Sequence, residues 1–307
     1  MVHSWVRTAL VGAFLGVFFA ALAGCGSGRE PGPMRVVVSI APLESVVRGV
    51  APEGAVVETI IPASASPHGF QPKPSDVRAL ERADLIVVVG LGMEGGLTRY
   101  VRDLEHRGTR VVEFAGVVGI EGHDHHGHDH SHDGDDDPHL WLDAAMMLEL
   151  VDALESEMIP AMRGTDSGSD DAVLATPVRA DGQRALIRAA DAEARAALEP
   201  FAGARIVTHH GAFGRFCARY GVEVAAVLRP VEGAEPSPGE LAAVRDAIAA
   251  GGVRGAFTEP QFDGRELRAI AERAGIPVGS LDPLGGSTWM EMMRANTDEI
   301  TRVLGGG

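Results

Sequence analysis

The chain has 307 residues, 45% of them apolar and 23% charged, and carries a formal net charge of −16 at neutral pH. That length and composition suit a globular protein with room for two domains and real cores. The charge excludes a nucleic-acid binder, which needs a basic face: Lys73 is the only lysine and the arginines form no cluster, so cations are the favoured partner.

Residues 1–24 combine Arg7, an apolar run over 8–24 and the small residues Ala23 and Gly24 directly before Cys25. This is the pattern of a bacterial lipoprotein signal peptide, with Cys25 as the lipidated first residue of the mature chain. A plain membrane anchor is the alternative, but the apolar run is shorter than the roughly 20 residues a spanning helix needs. Residues 25–33 read as a tether, which makes the protein exported and held to a membrane by lipid, in the periplasm or at the cell surface. Cys217 is then the one thiol left, and it reads as a small buried hydrophobe with a metal thiolate as its alternative.

From Met34 on, short apolar runs alternate with helical patterns. Strands are expected over residues 35–40, 56–61, 85–89 and 111–114, with helices over 42–50 and 74–83. A second series repeats the pattern, with strands over 205–208, 222–228, 255–258 and 277–281 and helices over 213–220, 238–250 and 264–274. Alternation of this kind predicts parallel sheets with helical crossovers, hence an α/β fold of two lobes. Between them, apolar residues at helical spacing over 179–198 predict one long connecting helix. The division is therefore an N-terminal lobe over 34–178, a connecting helix over 179–200 and a C-terminal lobe over 201–307, and the last three glycines read as a frayed end. Composition assigns no structure to the polar stretch 164–171.

Residues 121–137 hold six histidines, His123, His125, His126, His128, His130 and His132, interleaved with aspartates that include Asp137. Imidazole is a common nitrogen ligand for zinc, and the acids raise the local cation concentration while opposing a packed core. The segment reads as a flexible secondary metal store, with a solvated loop of no role as the alternative.

Outside that loop and His3, five histidines remain. His106 sits in a polar helical run and reads as a solvated face. His68, His139 and His210 each stand near the ends of expected elements, where side chains of an open α/β sheet converge on one crevice. Asp282 follows the 277–281 strand in the same way. Three imidazoles and a carboxylate suit a tetrahedral Zn²⁺ with bonds of about 2.0–2.2 Å. His209 adjoins His210, and adjacent strand residues point to opposite faces, so one of the two faces the cleft. Glu259 has two readings, holding a ligand imidazole by its second nitrogen or capping a turn before Pro260, and Asp143 has the same two. Trp141 reads as core.

The ordered stretches PHGFQPKPSDVRALERADLIVVVGLGME, DPHLWLD, IVTHHGAFGRFCARYGV, EGAEPSPGEL, FTEPQF and LDPLG together resemble the cluster A-I solute-binding family, the zinc and manganese receptors of ABC importers. The resemblance covers nearly all of residues 34–305. It implies two α/β lobes joined by one rigid long helix with the metal in the cleft between them, the ligands His68, His139, His210 and Asp282, and a histidine-rich loop as in the zinc-specific branch. His210 stands where many manganese receptors carry a carboxylate, which favours Zn²⁺ and leaves Mn²⁺ as the second candidate. Ala144 departs from the proline common in the family.

The function so implied is capture of Zn²⁺ outside the cytoplasmic membrane and delivery to an ABC permease with its ATPase, without catalysis, by a protein expected to be monomeric. A surface storage or adhesin lipoprotein is one alternative. A zinc hydrolase is another, although no His-Glu-x-x-His helix is present. Because imidazole must be deprotonated to bind metal, affinity is expected to fall as pH drops through the region around 6.5.

Overall fold

The computed structural model describes residues 32–120, 137–229 and 235–306. The signal peptide, Cys25 and the six loop histidines lie outside them. Runs of β-branched residues bounded by turns form the strands, and burial on both faces is what a parallel sheet covered by helices demands.

The first lobe runs β1 (Arg35–Ile40), α1 (Ala41–Val50), β2 (Val56–Ile61), α2 (Pro74–Glu81), β3 (Leu85–Val88), α3 (Thr98–His106), β4 (Arg110–Glu113) and the short α4 (Phe114–Val117). Its four strands are all parallel, in the order β2-β1-β3-β4, with Val36 of β1 opposite Val57 of β2 and Leu85 of β3. Every residue of β3 is buried. His106 ends α3 and is exposed.

Two long helices follow, α5 (Ala144–Met162) and α6 (Asp170–Leu198). The polar stretch ahead of α6 proves to be its start signal. Ser169 is the N-cap, its hydroxyl accepting the Ala172 N–H at 3.2 Å, and Asp170 and Asp171 occupy the positive end of the helix dipole. α6 thus begins nine residues ahead of the expected 179. Pro177 lies inside this helix, where proline removes a helical N–H and crowds the preceding turn. Tertiary packing overrides that cost: Thr176, Ala180, Gln183, Ile187, Ala190, Ala194 and Leu198 form a continuous buried stripe across the proline turn. At 29 residues α6 is about 44 Å long.

The second lobe repeats the first: β5 (Arg205–His210), α7 (Gly214–Tyr220), β6 (Glu223–Arg229), α8 (Pro238–Ala249), β7 (Val253–Thr258), α9 (Arg265–Ala274) and β8 (Val278–Ser280). The strand order β6-β5-β7-β8 and the parallel pairing reproduce the first sheet. The chain then forms α10 (Trp289–Gly305), capped by the Thr288 hydroxyl on the Glu291 N–H. Gly305, expected in a frayed end, is the last residue of this helix, whose face of Met292, Met293, Ile300, Val303 and Leu304 is buried. α6 packs against α5 and α1 of the first lobe and against α10, so it backs both. Two indoles tie the lobes at their seam: Trp141 Nε1 donates to the Pro283 carbonyl at 2.6 Å, and Trp289 Nε1 to the Trp141 carbonyl at 2.7 Å. No described helix is long and apolar enough to cross a membrane.

Candidate metal centre

Three of the four expected donors meet at the carboxyl-end crevice of the sheets. His68 lies in the turn between β2 and α2, His139 caps a single 3₁₀ turn over Leu140–Leu142, and His210 is the last residue of β5. A donor nitrogen from each lies within 4.8 Å of the others. Ring centroids are separated by 5.5 Å (His68 to His139), 5.6 Å (His68 to His210) and 5.0 Å (His139 to His210). The cavity they line is small, about 10 Å³, with Met93, Trp141 and Phe262 among its apolar walls. Trp141 is fully buried, its ring centroid 5.3 Å from that of His139.

Burial and mutual proximity disfavour protonation of His68 and His139. Burial, then the neighbouring His139 and His210, bring the pKa of His68 down to about 3, against a partial pull upward from Asp137. Burial also lowers His139, opposed by the Asp137 hydrogen bond and charge. A neutral imidazole offers one lone pair, so the cluster is poised to take up a cation and resists taking up protons instead.

Two carboxylates stand behind the rings. The Asp137 Oδ1 accepts the His139 backbone N–H at 3.0 Å and its Nδ1–H at 2.7 Å, which leaves the Nε2 lone pair for a metal. Burial would raise the Asp137 carboxyl, but the hydrogen bonds and charge of His139, with Arg215 beside it, hold it below the usual range. Glu259 is 3% exposed, and its Oε2 lies 3.4 Å from His210 Nδ1. Neither Glu259 oxygen makes a hydrogen bond of good geometry among the described residues. Of the two readings open for Glu259, the contact with His210 is the one the fold realises. Asp137 was hidden by its place at the end of the acidic loop. Its signal in the chain was its position two residues before His139, across Pro138.

Asp282 is placed differently. Its Oδ1 accepts the Gln261 side chain at 2.7 Å and the Leu284 N–H at 3.0 Å, and it stands outside the group of three. His210 is the member of the pair that joins the cluster, while His209 is fully buried beside it in β5, both rings lying against Phe262 at 5.4 and 5.5 Å. Asp143 serves as the N-cap of α5, accepting the Ala145 N–H at 2.7 Å, and also meets Arg219 at 2.9 Å. Cys217 is buried, and burial pushes its thiol up to about 12, so no thiolate is present at neutral pH.

Comparison with known proteins places this geometry in context. Residues 36–303 match the family model described as ZnuA, zinc-uptake complex component A, periplasmic. The chain is 29% identical over 307 residues to the high-affinity zinc uptake system protein ZnuA of Paracoccus denitrificans, covering 88% of this chain and 92% of that one. It is 25% identical over 316 residues to the zinc-binding protein AdcA of Streptococcus pyogenes serotype M3, a match that takes in 95% of this chain but spans only 58% of AdcA. Among solved structures, the solute-binding protein FpvC of Pseudomonas aeruginosa in complex with Mn²⁺ superposes with a TM-score of 0.73 at 26% identity, over 90% of this chain and all of that one.

Proposed function

Because the chain belongs to the zinc-uptake complex component A family, we propose that it captures Zn²⁺ outside the cytoplasmic membrane and passes the ion to an ABC-type importer. Zinc is cargo here. The observation that carries the reading is the convergence of three imidazoles from both lobes, two buried and one half-buried, two of them backed by carboxylates. Three nitrogen donors favour Zn²⁺, with Mn²⁺ the competitor to test, since hard oxygen donors suit manganese better.

In this reading Asp282 supplies the fourth donor once an ion arrives, by turning one oxygen from its present partners toward the pocket. The lobes over 34–178 and 201–307 flank the ion, and Cys25 carries the lipid that keeps a monomeric receptor near its permease. Residues 121–137 form a weak secondary store. The hydrolase alternative draws no support from relatives named for binding and uptake.

The test is competitive zinc titration of wild type, His68→Ala, His210→Ala and a deletion of residues 121–136, which spares Asp137 and its hold on His139. Loss of one tight site in the point variants, with only weak sites lost in the deletion, is the expected result. If the deletion removes all binding, the cleft is not the receptor site.

A further inference from the structure

Arg215 lies near the start of α7 in the second lobe, yet its side chain ends on the first. Its Nε–H and Nη2–H donate to the backbone carbonyl of Asp137 at 3.0 and 2.8 Å, and Nε lies 3.8 Å from the Asp137 Oδ2. The side chain is 12% exposed. Asp137 in turn grips both the backbone and the ring of His139. One connection from the second lobe to a site histidine of the first therefore runs through a single residue, Asp137.

A guanidinium is a rigid planar fork, and two of its N–H groups on one carbonyl oxygen restrain that carbonyl far more than a single donor does. The Asp137 carbonyl and carboxylate belong to the same residue, so holding one limits where the other can aim. Separating the lobes must break the Arg215 contact and loosen the carboxylate that orients His139. We propose that Arg215 is a positioning residue for metal capture. It acts through Asp137 to set the His139 ring, so that the donor set is complete only while the lobes are apposed.

One turn further along α7, Arg219 crosses the same seam and supplies an internal control. It meets Asp143 at 2.9 Å and Asp191 at 2.7 and 2.8 Å, and neither of these carboxylates hydrogen-bonds a site histidine. Both arginines join the lobes; Arg215 alone does so through a residue that holds a site histidine. General adhesion between lobes therefore predicts equal effects from the two, whereas positioning predicts an effect confined to Arg215.

The inference rests on the zinc reading of the three-histidine centre. The experiment uses the purified full chain with Zn²⁺ and, separately, Co²⁺, whose visible absorption reports donor geometry. Wild type, Arg215→Ala, Arg215→Lys, Arg219→Ala and Asp137→Asn are compared by competitive zinc titration, by chelator-driven release rate and by the cobalt spectrum. Arg215→Ala is expected to weaken zinc about 10- to 100-fold, as loss of an outer partner of a metal ligand does, with faster release and an altered cobalt band. Arg215→Lys restores only part of this, because an ammonium cannot form the fork. Arg219→Ala keeps the wild-type cobalt band and stays within about threefold in affinity, small beside the 10- to 100-fold cost of disturbing a ligand's support.

Asp137→Asn preserves volume and the carbonyl while changing the group on Nδ1, and it should reproduce the altered cobalt band even if the arginine variants fold poorly. Equal losses from Arg215→Ala and Arg219→Ala with an unchanged cobalt band would overturn the proposal, as would an Asp137→Asn protein with wild-type affinity and spectrum. A wild-type chain that takes up no Zn²⁺ overturns the receptor reading and this coupling together.

Discussion

His139 and His210 face each other with ring centroids 5.0 Å apart, but the lobes hold them by different means. His139 sits in a loop segment, and its ring is fixed by a short hydrogen bond to Asp137, itself gripped from the opposite lobe by Arg215. His210 is the last residue of a strand, so the sheet fixes its backbone, and Glu259 stands off at 3.4 Å. A site donated by a loop needs a hydrogen-bonded scaffold, whereas a site donated by a strand end inherits its position from the ladder. The looser contact also leaves a carboxylate buried and short of donors, a cost that a bound cation would offset.

The comparison breaks most directly at the rings themselves. Replacing either His139 or His210 by alanine removes a donor, and each is expected to cost more than the roughly 100-fold that marks loss of an outer partner, measured by competitive titration. If one of the two alanine variants retains wild-type affinity, the matched roles of the two rings fail.

The supporting carboxylates sharpen the contrast. Asp137→Asn is expected to weaken zinc about 10- to 100-fold, while Glu259→Gln costs about tenfold or less. Glu259→Gln should also raise the melting temperature of the metal-free protein, because it removes a buried charge without donors, and shrink the further rise on adding zinc. A lower metal-free melting temperature in that variant would show that Glu259 is already paid for by contacts within the fold.

Acidification probes the shared burial of the cluster. Groups whose folded pKa is depressed stay neutral while the unfolded chain takes up protons, so the metal-free protein loses stability as pH falls from 6.5 toward the value near 3 reached by His68. For the same reason zinc binding should survive to lower pH than free imidazole allows. The fall in affinity expected near 6.5 from unperturbed histidine should therefore be displaced to lower pH. A midpoint at 6.5 would mean that the rings are solvated. The smallest effect belongs to the loop, since deleting residues 121–136, which spares Asp137, should leave the tight site within about threefold, small beside the 10- to 100-fold cost of disturbing a ligand's support.

Much of this was readable along the chain. Alternating apolar runs and helical spacing announced the two parallel sheets, because burial patterns of strands and crossover helices are local properties with periods of about 2 and 3.6 residues. The histidines at element ends named the three rings that the fold gathers. α10 was not expected, and α6 was begun late because the polar stretch that holds its Ser169 cap was assigned no structure.

The identities and spacings of residues were enough to specify strands, a long helix and a set of imidazoles destined for one crevice. They were not enough to say which acid would stand behind which ring. Asp282, the carboxylate that followed a strand, is occupied with Gln261 and the Leu284 N–H, while Asp137, read as part of a solvated loop, holds His139. Arg215 reaches it across 78 residues of chain. Contacts of that kind carry no periodic signature, since they arise only when two separately folded sheets are brought face to face and each buried polar group takes the partner the packing leaves within reach.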